Sequence, residues 1–526
     1  MTRRAAQTSF HSRCWRVARW AGLAAAAPAL WACTSRTLES PPIVPTATLT
    51  ATVTQKINNN IDILFMIDNS SSMTSMQQKL ATQLPAFMQV LQQLPNGLPN
   101  VHIAVVSSDM GAPGDQTSSI GCTASGNNGQ FQSVVGAAAT MCNATTLAQG
   151  ATFISDVDGQ KNFTDPIENV FQCIAQLGAS GCGFEHQLAS IDRALGSDNF
   201  DGNGNPQPPS TNAGFLRPEA YLGIVLLTNE DDCSAPSNTP LFSLNGGKQS
   251  ITNPLGPIAN YRCNQYGHTC SGGSPPLTPP GNASGNPPEL TLTDCMSNDS
   301  GGPNNLTPVK QFVDDIKRLK PDPNNQILVA AITAPVDPYT VEWVPPASPP
   351  PGTSGELWPQ VMHSCGAAGG PDVNPAAMQT TTDGSFGDPG VRITEFVTAF
   401  PNSVVASICE NSYRGSMTAI ATKLGALIKP NCITGKVQND ADGHPMCAVV
   451  NHLVDGQGNS TDIAVPSCAT NNNAPPCWSL NTDQMACPNG GVALKLMQDQ
   501  ASMNAASLNS SIDCSICLPG STAPGC

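Results

Sequence analysis

Charge is what this sequence has least of. Only 12% of its 526 residues are charged, and aromatic residues make up 5%. The one Cys-x-x-Cys, at Cys514 and Cys517, has no second pair to match it, which argues against a zinc knuckle. No Gly-x-Ser-x-Gly elbow and no Gly-x-x-x-x-Gly-Lys phosphate loop occurs. The seven histidines form no His-x-x-x-His pair. With no nucleophile and base set in view, the chain is not expected to be an enzyme. After Cys33 no apolar run reaches 18 residues, so no later segment is expected to cross a membrane.

Basic residues are the scarcer sign, 23 against 38 acidic. Five arginines fall in the first 32 residues, which hold no Asp or Glu; without them 18 basic residues face 38 acidic ones. Such a surface repels nucleic acid and gains nothing from anionic lipid.

Cysteine, by contrast, is abundant. Twenty cysteines together with 46 Gly and 47 Pro suit a loop-rich protein of an oxidising compartment, so disulfides are expected. Residues 1–19 are Arg-rich, and 20–32 form a short apolar run ending in Leu30-Trp31-Ala32-Cys33. That ending resembles the bacterial lipobox, in which the cysteine is acylated and becomes the new N-terminus. Loss of Cys14 with the signal and lipidation of Cys33 leave 18 cysteines, enough for nine disulfides. Ordinary cleavage after Ala29 leaves 19, one of them unpaired. The expected product is an exported lipoprotein of the cell envelope, at the outer membrane or cell surface, held by its lipid alone.

The mature chain divides into a Pro/Thr-rich tether (33–58), a domain (59–430) and a Cys-rich module (431–526) with eight cysteines. Residues 61–67, 221–227 and 327–333 are nearly continuous apolar runs, as expected of strands buried on both faces. Residues 101–106 and 403–407 add two more strands. Met76, Leu80, Leu84, Phe87, Met88 and Leu91 mark a helix that Pro85 is expected to kink or divide. Further helices are expected at 308–319, at 416–428, and through Leu188, Ile191 and Leu195. The alternation predicts an α/β fold with a doubly wound, mostly parallel sheet. Three stretches, near 110–165, 234–306 and 335–392, read as disulfide-pinned insertions.

Directly after the first strand comes Asp68-Asn69-Ser70-Ser71-Ser72. Ligands of open α/β sheets bind beyond the carboxyl ends of strands. One carboxylate and two hydroxyls at alternate positions of a loop suit a hard divalent cation: Mg²⁺ first, Mn²⁺ or Ca²⁺ as alternatives. Helix capping needs only one such residue. Three acidic-glycine loops, at Asp156, Asp201 and Asp440, fail the EF-hand register, so Asx-turns are expected there.

This strand, loop and helix resemble the metal-ion-dependent adhesion site of von Willebrand factor A domains, and the likeness covers residues 59–430. The Ser108–Gly111 and Glu230–Ser234 stretches resemble those of bacterial lipoproteins of that kind. The resemblance implies a Thr in a second loop and an Asp in a third. Here the second loop offers Glu185, next to His186, which is expected at the surface. The third offers Asn229, with Asp231 or Asp232 to restore a carboxylate. Asp109 is expected to cap a turn. The resemblance also implies that an acidic side chain of a partner fills the open position on the cation. A metal-dependent, adhesion-type binding module is the leading expectation. A structural envelope scaffold with a decayed site is the second, since the family's Thr and Asp are missing.

Overall fold

The computed structural model describes residues 59–526, apart from 95–96, 113–121, 134–146, 158, 245, 282–286, 288, 303, 429–432, 455–458, 482–490, 498, 500–506, 518–520 and 522. The signal segment, Cys33 and the tether lie outside the described residues.

Five strands form a parallel core: β1 (Asn60–Ile67), β2 (Asn100–Ser107), β5 (Tyr221–Leu227), β6 (Ile327–Thr333) and β7 (Ser403–Ser407). An antiparallel edge follows β2, made of β3 (Ile154–Val157) and β4 (Gln160–Lys161). In space the order is β7-β6-β5-β1-β2-β3-β4. The chain therefore leaves β1 towards β2 and returns to build β5 on its other side. That reversal puts a crevice beyond the carboxyl ends of β1 and β5.

Alternation along β1 divides the core in two. Ile61, Ile63, Phe65 and Ile67 meet α1 (Thr74–Gln92), α2 (Ile167–Ile174) and α6 (Arg414–Leu427). Leu64 and Met66 meet α3 (Gln187–Leu195), α4 (Val309–Lys317) and α5 (Val391–Thr398) on the opposite face. Burial on both faces is why the strands read as unbroken apolar runs. Pro85 lies inside α1 and does not divide it. Met76, Leu80 and Leu84 before the proline and Phe87, Met88 and Leu91 after it are all buried in one core. Packing on both sides outweighs the lost backbone bond.

The insertions carry structure of their own, including a short helix (Tyr261–Gly267) and an antiparallel sheet of Leu290–Leu292, Tyr339–Val344 and Trp358–Val361. Disulfides pin them: Cys122–Cys182, Cys233–Cys263, Cys270–Cys295 and Cys365–Cys409. Three more, Cys447–Cys514, Cys468–Cys477 and Cys517–Cys526, lie within 431–526. There two antiparallel sheets pack Val449, Val465, Trp478, Leu494 and Ile512 together. Among the described residues no helix is long and apolar enough to cross a membrane.

On α3, Asp192 is buried and accepts a hydrogen bond from Ser197. Burial pushes its carboxyl up to about 7, with Asp315 and Asp198 adding to the rise. In the unfolded chain the group titrates near 4. The folded state holds the proton longer, so stability falls as pH rises from about 4 to about 7. Asp192→Asn is expected to remove up to ~3 kcal/mol of that fall. Denaturant midpoints at pH 5 and pH 8 check this; an unchanged pH slope in the variant contradicts it.

Candidate functional site

Asp68 continues the ladder of β1 through its own N–H, which donates to the Leu227 carbonyl at 2.9 Å. Its side chain is fully buried at the crevice. Oδ1 accepts from the Ser70 N–H at 2.8 Å and from Ser108 Oγ at 3.2 Å. Oδ2 accepts from Thr228 Oγ1 at 2.8 Å. Burial pushes the carboxyl up, and these donors pull it back in part. Ser70 Oγ lies 3.4 Å from Ser72 Oγ, which donates to Asn229 Oδ1 at 3.1 Å. The first and third loops thus meet through Ser72 and Asn229. These oxygens do not serve as helix caps, because α1 starts at Thr74 behind Met73 with no side-chain cap bond.

The second loop closes against the first. The Gly181 N–H donates to the Asn69 carbonyl at 2.8 Å, and a Cβ at Gly181 would lie 2.2 Å from Asn69 Oδ1. Any larger residue there forces the Asn69 side chain to move. Glu185 follows, 2% exposed, and its Oε1 has no hydrogen-bond partner. Burial, then the nearby Glu230 and Asp68 carboxyls, push it well above the usual carboxylate range. His186 is not at the surface as expected; it is buried with its ring against Phe242. Burial pushes the imidazole down to about 4, so it is neutral at pH 7. Gln187 Nε2 donates to Thr228 Oγ1 at 2.8 Å and to the Glu230 carbonyl at 3.1 Å, joining the second and third loops.

In the third loop Asn229 is fully buried, and its Nδ2 has no partner. Amide oxygen and nitrogen are interchangeable on hydrogen-bond grounds, so a flip turns the oxygen to the unpartnered side. Asp231 is not part of this convergence. Its carboxylate accepts from the Arg392 and Ile393 N–H groups at 2.9 and 3.1 Å, at the start of α5, and pairs with His268 Nε2 at 2.7 Å. Burial raises such a carboxyl, but His268 and the helix amides outweigh it and hold it below its ordinary value. Asp232 pairs with Arg392 at 3.0 Å and accepts from the Leu188 N–H at 3.0 Å. Both acids named from sequence are thus committed to helix N-termini, where backbone N–H groups favour anions.

The third-loop acid that does face the cluster is Glu230, which sequence reasoning passed over. It accepts from Asn260 Nδ2 at 2.6 Å. Burial, then Asp388 and Asp68, push its carboxyl up to about 8. Its signal in the sequence was the Glu-Asp-Asp-Cys-Ser stretch, which does not say which acid turns inward. Asp388 arrives from the last insertion. Its N–H donates to the Asn229 carbonyl at 2.8 Å, and its Oδ1 pairs with His363 at 2.5 Å. Asp109 caps a turn, accepting from the Gly111 N–H at 2.9 Å.

Elsewhere, Asp201 and Asp440 accept amides two and four residues on, as Asx-turns do. Asp440, Asp442 and His444 lie within 4.8 Å of one another, but both acids are exposed. On the C-terminal sheet His452 contacts Asp462 at 2.7 Å and Ser511 at 2.8 Å. Asp462 and His452 side chains are 66% and 41% exposed. Water competes for that contact.

No family model and no curated protein sequence matches the chain. Among solved structures it is similar to the pilus adhesin SpaC from Lactobacillus rhamnosus GG in its open conformation. Identity there is 12% and the TM-score 0.28, over 88% of this chain and 39% of that one. For the pilus adhesin RrgA from Streptococcus pneumoniae the values are 9% and 0.26, over 88% and 57%. For the human COPII-coat protein Sec24c they are 9% and 0.23, over 87% and 40%. The chain spans less than two thirds of each of these proteins, and TM-scores of this size carry no argument about its role.

Proposed function

We propose that this chain is a von Willebrand factor A-type lipoprotein of the bacterial envelope, acylated at Cys33, that binds a partner through a divalent cation. The observation that carries this reading is the convergence of Asp68, Ser70 and Ser72 with Asn229 beside the buried Glu185. The nearby nitrogen-bearing side chains are committed elsewhere: Arg392 to Asp232, and the His268 and His363 rings to Asp231 and Asp388. Asp68 and Glu185 are left as buried acids with no positive partner among the described residues. Burying carboxylates without a counter-charge is costly, and a cation supplies that charge. Glu185 Oε1 and the unpartnered side of the Asn229 amide are spare groups of the right kind. All the ligands offer oxygen, which suits Mg²⁺ first, then Mn²⁺ or Ca²⁺.

Asp68, Ser70, Ser72, Asn229 and Glu185 hold the ion in this reading, and Asp231 does not. An acidic group of the partner completes its coordination, which lets an acidic protein bind an acidic ligand. The scaffold alternative draws support from one feature: Ser70, Ser72 and Asn229 already satisfy one another without an ion. Counting bound Mn²⁺ by paramagnetic resonance separates the two. The Ser70→Ala/Ser72→Ala double variant is expected to bind one ion fewer per chain than wild type. An equal count in both ends the metal reading and leaves the scaffold.

A further inference from the structure

Behind the Asp68 loop, on the side of the insertions, lies a cavity of about 10 Å³, room for a single water-sized sphere and nothing larger. Glu185 of the second loop, Glu230 of the third, Asp388 of the last insertion and Asn260 of the middle one line it. Glu185 is 2% exposed with its Oε1 unpartnered, and Asn260 Oδ1 is buried without a partner as well. Asp231, Asp232 and His268 line it too, but His268 is paired with Asp231 and Arg392 with Asp232; the other three carboxyls and an amide oxygen come from four separate segments around a hole of atomic size.

We infer that this cavity is a second cation site, of the calcium class, held by Glu185, Glu230, Asp388 and Asn260. A shared proton between Glu185 and Glu230 would quiet those two groups, but it would leave Asn260 Oδ1 unsatisfied. A hard cation answers all of them at once. Calcium fits better than magnesium because it accepts six to eight oxygens in irregular geometry, whereas magnesium demands an octahedron. Loops pinned from four directions supply the former more readily than the latter. The three carboxyls do not all lie within 4.8 Å of one another in this structure, so the ion has to draw them in. The consequence is structural: the ion ties the 234–306 and 335–392 insertions to the second and third loops. Glu185 then stands between the two sites. The second site shares Glu185 with the first but uses neither Ser70 nor Ser72 nor Asn229, so variants at those residues and at Glu230 separate the two.

The test is a calcium titration of the purified full chain by calorimetry, with terbium luminescence as a second readout. Wild type is expected to bind two ions, Glu230→Gln one, and the Ser70→Ala/Ser72→Ala variant one. Glutamine has the shape of the protonated Glu230, so the loop keeps its form. Asn260→Ala, which removes no acid, is expected to weaken this ion by about tenfold or more. Limited proteolysis after chelation is expected to open 234–306 in wild type. If Glu230→Gln and Asn260→Ala both bind as wild type does, the second site is overturned. If wild type binds one ion that the serine variant keeps and Glu230→Gln loses, the second site stands and the proposal at Asp68 falls.

Discussion

Asp232→Ala is expected to destabilise the protein by about 3–5 kcal/mol, the penalty for leaving one partner of a buried ion pair without the other. Asp232 and Arg392 side chains are both fully buried. The guanidinium reaches Asp232 Oδ2 from Nε at 3.2 Å and from Nη2 at 3.0 Å, and Nη2 also donates to the Thr307 carbonyl. Asp232 Oδ1 serves the first turn of α3 through the Leu188 N–H, and Ser234 Oγ donates to it at 2.6 Å. Alanine therefore leaves the guanidinium charge, the Ser234 hydroxyl and the Leu188 N–H at the start of α3 unanswered at once. Among the described residues Arg392 has no other acid in place, since Asp231 receives only its backbone N–H. Asp232→Asn keeps an acceptor and is expected to lose less. Guanidinium unfolding of the oxidised protein measures both; a loss under about 1 kcal/mol for alanine contradicts the account.

That pair also shows where sequence reading stops. The apolar runs at 61–67, 221–227 and 327–333 coincide with strands because burial on both faces writes itself into every residue. The helices after Pro308 and after Glu185 are legible for the related reason of periodicity, and the 403–407 strand from its place in the strand–helix alternation. Side-chain direction at the end of a strand has no such signature. Glu230, Asp231 and Asp232 are three acids in a row, and only packing decides their fates. Arg392, which claims Asp232 and by its backbone Asp231, lies 160 residues downstream. Asn260 and Asp388 come from stretches that read simply as insertions. The loop at Asp68 is local, and its motif could be seen; the groups around it are not, and could not. The β3–β4 edge escaped for another reason, since four and two residues are too few to establish a period.

The insertions reach the site because sulfur holds them there. Cys233 directly follows Asp232, and Cys263 lies in the short helix just beyond Asn260, so their bond sets Asn260 against Glu230. It closes a loop with a sequence separation of 30. Replacing both cysteines by serine is expected to lower stability by about 3–4 kcal/mol through the freed entropy of the unfolded chain. A second effect is local. With the tether cut, the Asn260 segment keeps the packing of Ile258 and Tyr261 and the bonds of buried Arg262 but loses its covalent link to the third loop, and protease is expected to cleave within 234–306 under conditions that spare wild type. The Cys468–Cys477 bond is the control, with a separation of 9 and a place in the C-terminal module. Its removal is expected to cost about 2.7 kcal/mol by the same relation, yet to leave 234–306 uncut. If the Cys233/Cys263 variant unfolds like wild type, or if both variants cut alike, the disulfide does not position the insertion. If cleavage in 234–306 follows Cys233–Cys263 alone, the long insertions are fixed parts of the site, and each pin beside it is worth testing for its effect on cation binding.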